Sequence, residues 1–256
     1  MRQKVRTAVK NLLTAALDFA LPWQCLLCQS TNHSAASPDN RRSFCQSCLE
    51  LLAPEIENRC ERCGAAVGAY VITSRGCVHC RKKPIRFDSV VCLSMYDDAI
   101  RKAILSGKWS HSTVIMEALA QLLADRRHAE LHALRPQIVI PVPQSVPSRL
   151  TRHFNSATLI ADVLARRLGV PVDHHILKRS RNSRPQKRVA VQQRFENQKD
   201  AFALNDAHLL KGMRVLLVDD VLTTGATCSE AARLLKKNRA ASCPVAVIAR
   251  VLDASA

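Results

Sequence analysis

One stretch, Arg214-Val-Leu-Leu-Val-Asp-Asp-Val-Leu-Thr-Thr-Gly-Ala-Thr227, constrains this chain more than any other. Its apolar run Val215 to Val218 has the character of a fully buried strand. Asp219 and Asp220 stand where that strand is expected to stop. Thr223, Thr224, Gly225, Ala226 and Thr227 then supply hydroxyls, a permissive glycine and small side chains, before a helical pattern begins at Cys228. Strand, small-residue turn and helix in that order offer backbone N–H groups and the positive end of a helix dipole to an anion. The turn is therefore expected to hold a phosphate. The two carboxylates would repel that phosphate, and are placed to accept hydrogen bonds from a neutral polyol. A phosphate on one side and vicinal hydroxyls on the other describe a ribose 5-phosphate.

The segment closely resembles the phosphoribosyl pyrophosphate (PRPP) motif of type I phosphoribosyltransferases. That resemblance implies that Asp219 and Asp220 contact the ribose 2- and 3-hydroxyls, and that residues 223–227 wrap the 5-phosphate.

Eight of the eleven cysteines form four Cys-x-x-Cys pairs: Cys25 and Cys28, Cys45 and Cys48, Cys60 and Cys63, Cys77 and Cys80. Such a knuckle lets two thiolates meet one metal from a tight turn, and two knuckles complete the tetrahedral sulfur site that zinc prefers. Sixteen residues separate the first two pairs and thirteen the last two, so the spacing predicts two structural Zn²⁺ ions. Sequential and interleaved pairings both fit it. Gly64, directly after Cys63, suits a knuckle turn of positive φ. His79 lies inside the last knuckle as a bystander, since four thiolates are already available. Cys92, Cys228 and Cys243 read as small buried apolar residues. A helix N-terminus at Cys228 predicts a lowered thiol pKa there. Metal-bound thiolates fit a reducing cytoplasm.

Residues 3–20 carry Val5, Val9, Leu12, Leu13, Ala16, Leu17 and Ala20 at helical spacing, which predicts an amphipathic helix ended by Pro22. It is expected to pack on the rest of the protein or to lie on a membrane surface. The run is too short and too interrupted by Asp18 to be a transmembrane segment or a signal peptide. The composition changes around Lys82-Lys83-Pro84, and the domains are placed at 1–22 (helix), 23–84 (double zinc ribbon) and 85–256 (larger domain).

In the larger domain, strands are expected at 88–96, 137–143, 170–176, 201–204, from Val215 to Val218, and at 244–251. Helices are expected at 99–105, 111–128, 155–168 and 228–238. This alternation indicates βαβ units and an α/β fold, a parallel sheet flanked by helices. Ligands bind such sheets at strand C-terminal ends, where both Asp219-Asp220 and the turn Pro141-Val142-Pro143 fall. Residues 177–197 hold the densest basic run: Lys178, Arg179, Arg181, Arg184, Lys187, Arg188 and Arg194 against the single acid Glu196. Turn residues break it, so it reads as a loop leading into a short helix, a charged cover for pyrophosphate or a nucleic-acid backbone. A formal charge of +17 favours a polyanionic partner, and an aromatic content of 4% argues against extensive base stacking.

Taken together, the chain resembles the ComF family, which joins an N-terminal zinc-ribbon region to a type I phosphoribosyltransferase-like domain. The likeness rests on the cysteine pairs, Tyr96, Lys108, Pro141-Val142-Pro143, Arg149, Arg152, Phe154-Asn155, Arg179, Gln186, Arg194, Asn197, Ala201-Phe202 and Val218–Thr227. The chain departs from the family pattern at His153, where a glycine is usual, and at Ser156, where a glutamine is usual. The resemblance implies a role in natural competence, handling single-stranded DNA after uptake, with partners in the uptake machinery. Lys108, Arg149, Arg152, Arg179, Arg181, Lys187, Arg188 and Arg194 are the candidate contacts to nucleic acid or pyrophosphate, and Pro141–Pro143 the candidate pyrophosphate loop. The alternatives are an active phosphoribosyltransferase using PRPP with Mg²⁺ on an unidentified nitrogenous acceptor, and a PRPP sensor without turnover. No residue announces itself as a catalytic base.

Overall fold

The computed structural model describes residues 23–31, 43–73, 75–109, 113–144, 154–180 and 191–252. Its central sheet has four parallel strands: β1 (Val90–Met95), β2 (Ile138–Pro141), β5 (Val215–Leu222) and β6 (Val245–Arg250), in the order β1-β6-β5-β2. The runs Ile-Val-Ile-Pro of β2 and Val-Ala-Val-Ile-Ala of β6 need no polar alternation because helices cover both faces, and every residue of β2 and β6 is buried. One face, with Val90, Cys92, Ile138, Ile140, Val215, Leu217, Val245 and Val247, packs on helix α7 (Ala226–Lys237) and on Cys60, Cys63, Cys77 and Cys80.

The remaining helices are α1 (Gln46–Leu52), α2 (Asp98–Trp109), α3 (Val114–Arg126), α4 (His128–Ala133), α5 (Ser156–Leu168) and α6 (Val191–Gln198). Helix α5 packs on β2 and β5 and against α3. It begins where the Asn155 side chain accepts the Ala157 N–H at 3.1 Å, and ends at Gly169 in the left-handed conformation, φ 67°. A separate antiparallel pair joins β3 (Leu177–Arg179) to β4 (Phe202–Leu204), with Leu177 opposite Leu204 and Arg179 opposite Phe202.

The structure departs from the sequence-based expectations in several places. No strand forms over 170–176; Val172 makes one parallel bridge to Val139, and regular pairing starts at Leu177. Pro171 has no N–H to donate, which limits that edge to an isolated contact. Residues 201–204 join β3 rather than the parallel sheet. The chain also divides into two compact units at Leu51/Leu52, whereas the composition shift lies near residue 84. The second cysteine quartet shares a core with the sheet and so belongs to the larger unit. The expected helix over 3–20 lies outside the described residues. Among the described residues, no helix is long and apolar enough to cross a membrane.

Helix α7 is tied to the α6–β4 junction by Glu230, which accepts the Asp200 N–H at 2.8 Å and pairs with Arg233 at 2.7 Å. Burial alone would raise the Glu230 pKa, but the Arg233 guanidinium and the Asp200 N–H outweigh it and hold the carboxyl below its ordinary value of 4.5. Its stabilisation is therefore fully present above that value and is lost as pH falls through the lower folded pKa. Glu230→Ala is expected to cost about 2 kcal/mol at neutral pH. In urea unfolding the difference from the parent should shrink in acid.

Candidate functional site

Strand β2 makes its last pair between Pro141 and Val218, while β6 continues alongside β5 to Leu222 opposite Arg250. The carboxylates of Asp219 and Asp220 thus lie within β5 rather than beyond its end, on the stretch that has outrun β2. The expected strand end at Val218 is corrected by this one-sided pairing, which preserves extended backbone after the apolar run has stopped. Both residues are half-buried. One Asp219 oxygen accepts the Asp220 N–H at 2.9 Å, and the other accepts from the Cys228 thiol at 3.7 Å. Burial first, and then the adjacent Asp219 carboxylate, push the Cys228 thiol well above its ordinary pKa. The lowering expected from a helix N-terminus is therefore overridden.

The turn that follows is compact. Helix α7 starts at Ala226, two residues earlier than its apolar periodicity indicates, and Gly225 precedes it with φ 83°. The Thr224 hydroxyl accepts the Ala226 N–H at 3.3 Å, and Thr224 is buried while Thr223 is exposed. First-turn N–H groups of a helix have no intrahelical acceptor, so this end of α7 faces the turn as a donor surface.

Beside it stands the turn Pro141-Val142-Pro143. The Val142 N–H donates to the Val218 carbonyl at 2.8 Å, which puts this turn and the paired aspartates at the same end of the sheet. Asn155 caps α5 with its oxygen and donates from its amide nitrogen to the Val142 carbonyl at 3.2 Å. Gln144 donates to the Phe154 carbonyl at 2.9 Å. Arg179 closes the group: its guanidinium donates to the Pro143 carbonyl at 3.5 Å and to Gln198 at 3.1 Å, and lies 4.7 Å from the centre of the Phe202 ring. Burial lowers its pKa, and the field of the Asp219 carboxylate acts in the opposite direction.

The structure therefore brings together Pro141–Pro143, Asp219, Asp220, Arg179 and the 223–227 turn. Arg194 is exposed on α6. Lys108 falls in α2, but its side chain lies outside the described residues, as do Arg149, Arg152, Arg181, Lys187 and Arg188 entirely. The sequence reading gave no role to Arg250, although a lone arginine in the apolar strand Val-Ala-Val-Ile-Ala-Arg was a visible anomaly. Phe87, whose ring backs Gly225, carried no such mark.

The cysteines assemble as Cys25, Cys28, Cys45 and Cys48, and as Cys60, Cys63, Cys77 and Cys80, with the ligand atoms of each quartet within 4.8 Å of one another. This resolves the pairing as sequential. Four sulfurs around a zinc at 2.3 Å lie about 3.8 Å apart along each tetrahedral edge. The observed separations are 3.8 Å for Cys28–Cys45, 3.8 Å for Cys60–Cys80 and 3.6 Å for Cys63–Cys77. In the first quartet the Cys45 N–H points to the Cys25 sulfur at 3.4 Å. Burial would raise the Cys25 thiol, but backbone N–H groups outweigh it and bring the pKa down to about 6. Both quartets thus have the sulfur spacing of a four-thiolate metal site. The second is wholly buried, whereas Cys28 of the first is exposed.

The chain is 30% identical over 219 residues to competence protein F of Haemophilus influenzae, an alignment covering 84% of this chain and 91% of that one. It belongs to the ComF family. Within this ComF chain, residues 155–254 match the phosphoribosyl transferase domain family, which takes in Asn155, the β3–β4 pair, both aspartates, the small-residue turn and Arg250. The DNA utilization protein YhgH of Salmonella typhi is 31% identical over 216 residues, covering 82% of this chain and 91% of its own length. Among solved structures, an adenine phosphoribosyltransferase aligns at 15% identity and a TM-score of 0.37, over 56% of this chain and 72% of that one.

Proposed function

We propose that this ComF-family protein acts in competence and DNA utilization by handling single-stranded DNA on a domain that binds PRPP or another ribose 5-phosphate ligand. The observation that carries the ligand reading is the convergence of Asp219 and Asp220, the Thr223–Thr227 turn and the Pro141–Pro143 turn at one end of the sheet. The aspartates would accept the ribose hydroxyls, and the turn and the start of α7 would donate to the 5-phosphate. Pro141–Pro143 would face the pyrophosphate, whose charge Mg²⁺ offsets when bound. Two structural zincs in the quartets and a cytoplasmic location complete the reading. DNA handling is supported by the names of the relatives and by the formal charge of +17.

Phosphate contacts release counterions, so single-stranded DNA affinity is expected to fall steeply as salt rises. The test is a titration of the zinc-loaded protein with single-stranded DNA over a salt series, with and without PRPP and Mg²⁺. A variant with Arg181, Lys187 and Arg188 changed to Gln should lose much of that affinity and flatten the salt slope. Arg179 is left intact there because its guanidinium stacks on Phe202. Absence of DNA binding alongside PRPP binding would defeat the direct DNA role. The match of residues 155–254 to phosphoribosyl transferase domains favours the second reading, transfer of the ribosyl group to a nitrogenous acceptor, and pyrophosphate release with candidate acceptors decides it.

A further inference from the structure

The small-residue turn is held at both ends by the part of the chain that carries the second cysteine quartet. At its start, the Arg250 guanidinium is only 1% exposed. Its Nη1 donates to the carbonyls of Leu222 (3.1 Å), Thr223 and Val251, while its Nε donates to the carbonyl of Cys63 at 3.0 Å. One side chain therefore links the backbone of a quartet cysteine to the first residue of the turn. At the other end, Gly225 lies against the Phe87 ring so closely that a Cβ would come within 3.3 Å of it. The first turn of α7 is fixed by Ser229, whose hydroxyl donates to the Pro84 carbonyl at 2.9 Å and accepts the Arg86 N–H at 2.9 Å. Residues 84–87 follow Cys80 after an interval of three residues. Gly64, the knuckle residue after Cys63, sits against Val90 and Cys92 of β1, so the knuckle is fastened to the sheet as well.

A guanidinium is rigid and planar, and the Cys63 and Thr223 carbonyls would lose this donor if it moved, whereas the Leu222 carbonyl keeps the Val251 N–H at 2.9 Å. Displacement of the Cys63 carbonyl must then be taken up at Thr223, or the reverse. We infer that the second quartet and the ribose-phosphate turn are one coupled unit, with Arg250 as the positioning residue between them. Metal in the quartet tightens the grip of the turn on a phosphate ligand, and ligand in the turn slows loss of the metal. The inference rests on the ribose-phosphate reading and goes beyond it by assigning the site a metal-dependent regulation. Coupling of this kind is reciprocal and typically falls in the range of roughly 5- to 150-fold.

The test uses the full-length zinc-loaded protein, a zinc-selective chelator and N-ethylmaleimide, with each cysteine followed by peptide mass spectrometry, in the presence and absence of PRPP and Mg²⁺. PRPP is expected to slow alkylation of Cys60, Cys63, Cys77 and Cys80 about fivefold or more, leaving the rates at Cys25, Cys28, Cys45 and Cys48 unchanged. Equal slowing of both quartets would reveal general stabilisation and overturn the inference. PRPP binding by calorimetry without any slowing overturns it too, with the ribose-phosphate reading intact; absence of PRPP binding removes both. Arg250→Lys should keep the metal content while losing the selective protection, and unchanged protection would remove Arg250 as the link. Should that variant not fold, the wild-type comparison decides alone.

Discussion

Asp219→Asn combined with Asp220→Asn is expected to weaken PRPP binding roughly a hundredfold or more while leaving the fold in place. A hydrogen bond to a charged acceptor contributes about 1.5–3 kcal/mol, and the double change removes the charge from both proposed ribose acceptors. Asparagine keeps the side-chain volume, and the backbone bonds that hold β5 between β2 and β6 do not involve the carboxylates. Calorimetric titration at fixed Mg²⁺, with circular dichroism as the fold control, measures both halves of the expectation. Wild-type affinity in the double variant would remove the ribose from this end of the sheet. Asp219 alone should have a second visible effect: with its negative charge gone, the Cys228 thiol loses the largest influence after burial that raises its pKa, and its reactivity toward alkylation should increase.

Disruption of the second quartet should be far more damaging than disruption of the first at its exposed corner. Cys63→Ser removes a ligand from a site packed in the same core as Val90, Leu217 and Val245. Structural zinc binding is itself folding free energy, with apparent values of about 10–16 kcal/mol in zinc-finger peptides. Even a fraction of that, about 4 kcal/mol, would lower the midpoint of thermal unfolding by roughly 10 °C in a domain of this size. Cys28→Ser acts on an exposed residue of the other compact unit and should leave the main transition nearly unmoved. Calorimetric scans of the two variants, with zinc content measured beside them, separate these outcomes. Comparable shifts would mean that the second quartet is not part of the folding core.

Much of this was legible in the sequence because the relevant physics is local. Val215–Val218 are apolar without alternation, as a strand covered on both faces must be, and the order of acids, threonines and glycine placed the turn. The true length of β5 was not legible. Asp219 and Asp220 end the hydrophobic run, but the backbone stays extended because β6 supplies a partner as far as Arg250, and sequence-distant pairing leaves no mark on the residues it extends. The same limit hid the cysteine pairing: spacing permits sequential and interleaved quartets alike, and only sulfur positions choose. At Cys228 a local rule was legible and misleading, since the helix N-terminus favours a thiolate while burial and Asp219 oppose it more strongly. Val170, Val172 and Ile176 suggested a strand that Pro171 cut to a single bridge. Arg250 was conspicuous in an apolar strand, yet its distant partners lie on two separate segments, at Cys63 and at Leu222–Thr223, and nothing near it in sequence named them.

The strand order has a consequence for how the protein is made. Among the described residues strand β1 has one neighbour in the sheet, β6, so Val90 must wait for Val245 before it can pair. At about 5–20 residues per second of synthesis, that interval is roughly 8–30 s. Throughout it, the nascent chain exposes an apolar strand edge, Val-Val-Cys-Leu-Ser-Met, to the crowded surroundings of the ribosome. The cysteines at 60–80 are already translated by then, so metal capture can precede completion of the sheet. Newly made copies should accordingly be most vulnerable to aggregation, and most reliant on chaperones, when zinc is scarce.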